Sequence, residues 1–229
     1  MKTGRALILF CRRPAAGKVK TRLAASIGVD LAARLYSCFL KDLSKAARKS
    51  GAEVFLFHTP PARDGGALKR LLKEDFRYLP QRGVDLGERM SNAFTHVFGA
   101  GFRKAVIIGS DTPDLRAADL REAFAALAEK PAVIGPARDG GYYLLGFERS
   151  NFLPEVFEGI TWSGADVFSR TMQRLKKGGC RPRRLKERRD IDTLEDLLSF
   201  YRRNLGRGKS LASVRAIRLN ARRILRQKP

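Results

Sequence analysis

Residues 105–108, Ala-Val-Ile-Ile, are four apolar positions in a row with β-branched side chains dominant, which predicts a strand buried on both faces. Gly109 and Ser110 end that run, and Thr112-Pro113 reads as the start of the following helix, expected over about 115–129. The same reading predicts strands at 5–11 (RALILFC) and 52–58 (AEVFLFH), a weaker one at 76–79, and a hairpin-like pair at 132–135 and 142–147. Residues 180–186 are a basic candidate for a last strand. Leu31, Leu35, Phe39 and Leu43 recur at helical spacing through Ala47, and a short amphipathic helix is expected around 67–74 after the turn signal Asp64-Gly65-Gly66. The polar loop 81–90 should run into a helix ending near Gly99. Ser163 with Asp166, and Thr193 with Asp196, have the spacing of capping boxes opening two more helices. The spacing of Leu211, Val214, Ile217 and Leu225 allows a final amphipathic helix. No internal repeat is visible.

Strands alternating with helices imply an α/β protein with a mostly parallel sheet covered on both faces. The hairpin at 132–147 adds at least one antiparallel excursion. No G-x-G-x-x-G follows the first strand, and Gly17-Lys18 lacks the earlier glycine and the Ser/Thr of a P-loop. Those two absences set aside the commonest nucleotide-binding folds.

At 229 residues and 44% hydrophobic, the chain can bury one sizeable core. A Gly-Arg-Gly break at 206–208 suggests a domain over 1–205 and a basic C-terminal tail over 206–229, expected as a peripheral or flexible helix. The formal charge is +23, and it is concentrated. Residues 170–189 carry ten basic residues and one acid; residues 206–229 carry eight and none. Such segments attract any polyanion, so a basic nucleic-acid-binding protein is one alternative, and contact of the tail with an anionic surface is another expectation. The tail has no aromatic residue for base stacking. Cys11, Cys38 and Cys180 have neither disulfide-framework nor zinc spacing, and the apolar run 6–11 is too short for a signal peptide or a membrane span. A cytoplasmic protein is expected.

Candidate chemistry gathers at strand ends. Asp111 follows the central strand, where open α/β sheets bind ligands, although a helix cap is the alternative role. The first βα loop holds Arg12, Arg13, Lys18, Lys20 and Arg22 with no acid, and Gly17 would permit close backbone approach. Such a loop can clamp a phosphate chain. Asp139-Gly140-Gly141 is a hairpin turn in any reading. Its glycines, just before Tyr142, would also let a substrate lie against the backbone. Asp190 and Asp192 flank Ile191, so in extended backbone both carboxylates face one way; Asp192 either caps the next helix or holds a metal. His58 and His96 are read as structural.

The stretches FCRRPAAGKVKTRLA, QRGVDLGERM, VIIGSDTPDL, IGPARDGGYYLLGF, ITWSGADVF and RDIDTLEDL, in that order, resemble the DUF2064 family of the GT-A-like nucleotide-diphospho-sugar transferase superfamily. The resemblance spans about residues 5–200 and implies a three-layer α/β/α fold. It further implies a glycosyltransferase, some family members being linked by name to arsenosugar biosynthesis. In that superfamily an aspartate after the central strand binds the divalent metal that bridges the nucleotide's phosphates. Asp111, in Ser110-Asp111-Thr112-Pro113, matches it, and Asp192 matches a second metal carboxylate. Two carboxylates and a diphosphate suit Mg²⁺ or Mn²⁺. The partners implied are a nucleotide-sugar or nucleotide donor and a small-molecule acceptor, with Asp139 a candidate base for the acceptor hydroxyl. Nucleotidyl transfer from an NTP to a phosphorylated small molecule is the rival reaction. The first loop departs from the Gly-Gly-rich loop of nucleotidyltransferases, having few glycines.

Overall fold

A computed structural model describes residues 4–162, 164–208 and 210–225. Its frame is a seven-stranded sheet: β1 (Arg5–Cys11), β2 (Glu53–His58), β3 (Arg77–Pro80), β4 (Lys104–Ile108), β5 (Ala132–Pro136), β6 (Tyr142–Glu148) and β7 (Arg183–Arg184). The spatial order is β3-β2-β1-β4-β6-β5-β7. β1 pairs in parallel with β2 and β4, β2 with β3, and β5 with β7, while β6 runs antiparallel to both β4 and β5. The expected antiparallel excursion is therefore one strand inserted beside the centre of an otherwise parallel sheet.

Alternation along the buried strands divides the core into two layers. Leu7, Leu9 and Cys11 face one layer; Ala6, Ile8 and Phe10 face the other. The first layer is covered by α1 (Thr21–Ile27), α2 (Val29–Arg48), α3 (Asp64–Leu72), α5 (Ala117–Ala126), α7 (Leu194–Arg203), α8 (Ala212–Leu219) and α9 (Ala221–Leu225). The second is covered by α4 (Leu86–Gly99) and α6 (Val167–Lys177), around a cluster of phenylalanines that includes Phe94, Phe147, Phe152 and Phe157. This is the three-layer α/β/α arrangement.

Several local expectations need correction. Thr112-Pro113 does not open a helix: Leu115 N–H bonds to the Thr112 carbonyl in a turn, and α5 starts at Ala117. There Asp119 accepts the Arg116 N–H and its guanidinium. The Asp64-Gly65-Gly66 turn signal lies inside the first turn of α3. Residues 21–27, which had no predicted element beyond the loop, form α1; Gly28 at φ +87° separates it from α2. The capping role expected of Ser163 lies outside the described residues, and α6 follows Asp166.

The tail is the largest departure. Over the described residues 210–225 it is neither detached nor merely peripheral. Leu211, Val214, Ile217 and Ile224 are all buried in the first core layer. Asp42, in the middle of α2, receives the N–H groups of Ala212 and Ser213 at 2.7 and 2.9 Å and the Ser213 hydroxyl at 2.5 Å. A carboxylate of one helix thus caps another across 170 residues of sequence, satisfying donors that the helix cannot satisfy itself. Arg215, Arg218, Arg222 and Arg223 stay on the outer face. Among the described residues no helix is long and apolar enough to cross a membrane.

Candidate active site

The carboxyl ends of β1, β4 and β2 open into a cleft of about 730 Å³. Three features of the chain converge on it.

The first is Lys20. The β1–α1 loop delivers it immediately before α1 in the left-handed conformation, φ 48° and ψ 47°, which a residue with a Cβ adopts only when its surroundings hold it there. Its side chain is only 4% exposed, and its ammonium donates to Asp111 Oδ1 at 2.5 Å and to Asp192 Oδ1 at 2.9 Å. Burial alone would lower the lysine's pKa; the charges and hydrogen bonds of the two aspartates outweigh it and hold it above the ordinary value.

The second is the segment 190–192. Ile191 N–H bonds to the Asp111 carbonyl at 3.0 Å, so this stretch lies along the end of β4. Ile191 points into the core at 1% exposure, and its two aspartate neighbours line the cleft. Thr193, with Asp196, takes the cap of α7, which leaves the Asp192 carboxylate for Lys20. Asp190 accepts the Thr112 hydroxyl at 3.0 Å; burial, and then the charges of Asp111 and Asp139, push its pKa up to about 7. Asp111, six residues before α5, caps no helix.

The third is a wall of larger side chains. Leu86, Arg89 and Met90 of α4 line the cleft, with Tyr142 and Trp162 packed against the same helix: the Tyr142 hydroxyl donates to Met90 Sδ at 3.7 Å. The Trp162 ring stands edge-on to Tyr142 at 6.5 Å and beside Phe157. It fits because residue 87 is glycine: a Cβ there would lie 2.5 Å from the indole. Gln81 is buried at the floor, fixed by the Phe57 and His58 carbonyls.

The residues singled out from sequence therefore divide. Lys20, Arg22, Ser110, Asp111, Asp139, Gly141, Tyr142 and Asp192 line the cleft; Arg13, Gly17, Lys18 and Gly140 do not. Arg13 turns away to pair with Asp64 at 3.3 Å, and Lys18 is exposed beside the turn that Gly17 makes at φ +72°. Gly140 answers to packing: a Cβ would sit 1.9 Å from the Ala165 carbonyl, and its own carbonyl takes the Phe168 N–H. Asp139 makes the expected turn by accepting Gly141 N–H at 3.0 Å. Ser110 shares a 2.8 Å hydrogen bond with the Tyr36 hydroxyl, which also accepts Arg12 N–H, so the loop is pinned to α2. Arg12, from the loop expected to clamp phosphate, also lines the cleft; Thr59, Gln81, Arg89, Met90 and Trp162 join it without having been foreseen. Helical spacing in 86–90 could have suggested Arg89 and Met90 as neighbours; nothing local marks Trp162.

The donor set fits a hard divalent cation in one respect. Oxygens of Asp111 and Asp192 already converge on a single positive charge, that of Lys20. Among the described residues no group of three His, Cys, Asp or Glu side chains surrounds one such point. The remaining coordination would have to come from phosphate and water.

Residues 42–164 match the family described as "uncharacterized protein conserved in bacteria (DUF2064)". Among curated proteins no relative matches. The crystal structure of a Desulfovibrio desulfuricans G20 protein, provisionally named a nucleotide-diphospho-sugar transferase, is 34% identical, with a TM-score of 0.94 over 99% of both chains. More distant folds include Rv0371c of Mycobacterium tuberculosis H37Rv, solved as a complex with manganese: 18% identity, TM-score 0.52, 90% of this chain and 100% of that one. A Methanothermobacter nucleotidyl transferase is 16% identical, with a TM-score of 0.55 over 88% of this chain and 97% of the other.

Proposed function

The chain belongs to the DUF2064 family, and from that premise we propose that it is a metal-dependent transferase acting on a nucleotide-diphospho-sugar. The observation that carries this reading is the convergence of Asp111 and Asp192 on one cation position, with Arg12, Lys20 and Arg22 lining the same cleft. Breaking the bond from sugar to diphosphate builds negative charge on the departing phosphates, which fixed positive groups stabilise most where charge develops. Asp111 and Asp192 would hold Mg²⁺ or Mn²⁺, and that ion would supply charge neutralisation at the phosphates. Arg22 and Arg12 clamp the same chain by side-chain charge. The manganese complex of the Mycobacterium tuberculosis fold relative supports the choice of cation class.

Tyr142, Trp162 and Met90 offer an apolar, partly aromatic surface of the same cleft for the sugar or the acceptor. Asp139 and Gly141 line the same cleft, and the Asp139 carboxylate is the candidate base for the acceptor hydroxyl. The outer arginines of α8 and α9 would serve any contact with an anionic surface.

The test is which phosphate species leaves. Incubated with Mn²⁺ and a panel of sugar nucleotides, the protein should release a nucleoside diphosphate from one of them, the sugar passing slowly to water where no acceptor is supplied. Pyrophosphate released from an NTP, with sugar nucleotides untouched, would assign nucleotidyl transfer instead.

A further inference from the structure

We infer that Lys20 is a resident counter-cation: it occupies the metal position between Asp111 and Asp192 in the empty enzyme and yields it only when a donor's phosphates draw its ammonium away. This rests on the reading of Asp111 and Asp192 as metal carboxylates. Its effect would be to make metal capture depend on the nucleotide.

The geometry requires a choice. Both carboxylates spend an oxygen on the same ammonium, at 2.5 and 2.9 Å. A divalent ion bound between the same oxygens would sit about 2.0–2.6 Å from them, in the space the ammonium now fills. The two cations would also repel each other at that separation. They therefore exclude one another, and a metal arriving alone must displace a buried, doubly paired lysine.

The lysine in turn needs another anion before it can leave. Arg12 and Arg22 line the same cleft, and besides Asp111 and Asp192 its only lining carboxylates among the described residues are Asp190, which accepts the Thr112 hydroxyl, and Asp139, which accepts Gly141 N–H. A diphosphate drawn in by those arginines supplies the missing partner within reach of a four-carbon side chain, and the backbone need not move. Metal and nucleotide then bind with positive coupling, because each completes what the other lacks.

Manganese binding, read from the free-ion electron paramagnetic resonance signal, tests this without any assay of turnover. The proteins compared are wild type, Lys20→Met, which keeps the stem and loses the charge, and Lys20→Gln as a second replacement. Circular dichroism confirms that each is folded. Without nucleotide, both variants should bind Mn²⁺ about tenfold more tightly than wild type, a gain on loss of a site residue. Adding uridine, guanosine, cytidine or adenosine diphosphate should tighten Mn²⁺ binding to wild type for at least one base and do so far less in the variants. If folded variants bind Mn²⁺ no more tightly than wild type, or if no nucleotide tightens wild-type binding, the counter-cation role is overturned while the metal site stands. If no protein binds Mn²⁺ under any condition, the metal reading and this inference fall together.

Discussion

Two stretches of this chain are dense in arginine and lysine and almost free of acids, and they use that charge in opposite ways. In the β1–α1 loop and the first turn of α1, Lys20 turns inward and is buried against two aspartates, and Arg12 and Arg22 line the cleft. In 210–225 Leu211, Val214, Ile217 and Ile224 turn inward and the arginines turn out. Composition cannot separate the two. What separates them is place: the loop hangs from the carboxyl end of a central strand, beside carboxylates delivered by β4 and the 190–192 segment, whereas the tail lies along α2. Charge density reports only that anions are attracted; the backbone decides whether the charge is spent on a site or on solvent.

The contrast can be broken most forcefully at the tail. Ending the chain at Leu205 removes four buried aliphatic side chains, each worth about 1.5–3 kcal/mol of burial. Their sum rivals the total stability of a domain. The shortened protein should lose cooperative thermal unfolding in circular dichroism; melting like the full chain would return the tail to a dispensable appendage. A smaller cut isolates the cap. Asp42→Ala leaves two backbone N–H groups and a buried hydroxyl without their acceptor, and should cost about 2–3 kcal/mol in urea denaturation.

At the loop the expected pattern reverses. Arg22→Ala should weaken nucleotide binding by about tenfold, as loss of one charge-assisted contact. Its melting temperature should hardly change, because exposed charges contribute little to stability. Equal affinity by calorimetry would take Arg22 out of the phosphate clamp. The smallest effect belongs to Arg218→Ala and Arg222→Ala on the outer face of the tail: stability within about 0.5 kcal/mol of wild type and unaltered nucleotide affinity. A loss of nucleotide binding there would erase the distinction between the two segments.

The same contrast shows what was legible beforehand. The strands were, because runs such as Ala-Val-Ile-Ile at 105–108 have one stable destination, a sheet covered on both sides. The start of α5 was not: Thr112 looked like a cap, but its hydroxyl serves Asp190, 78 residues away, and Asp119 holds the helix start instead. Asp111 and Asp192 were legible as cleft-lining residues because a strand end and a fixed alternation position them. Arg13 and Lys18 looked the same as Lys20 in sequence, and only the partner of each, Asp64 for one and solvent for the other, tells them apart. For the tail, the apolar spacing of Leu211, Val214 and Ile217 was visible. Its docking partner was not, since nothing near Asp42 in the sequence signals a helix 170 residues later.

Metal binding at the end of β4 would depend on Asp111, and Asp111→Asn tests it most directly. The amide keeps the side chain's shape and loses the charge that a hard divalent cation needs. Thermal shift with Mn²⁺ and a panel of nucleoside diphosphates and sugar nucleotides should show stabilisation of the wild-type protein that depends on the metal, and none in Asp111→Asn, whose ligand-free form should still unfold cooperatively, at a lower temperature because Lys20 keeps only Asp192. Stabilisation of Asp111→Asn equal to wild type, with the same dependence on Mn²⁺, would contradict the claim that the end of β4 holds the metal of a nucleotide-dependent transferase.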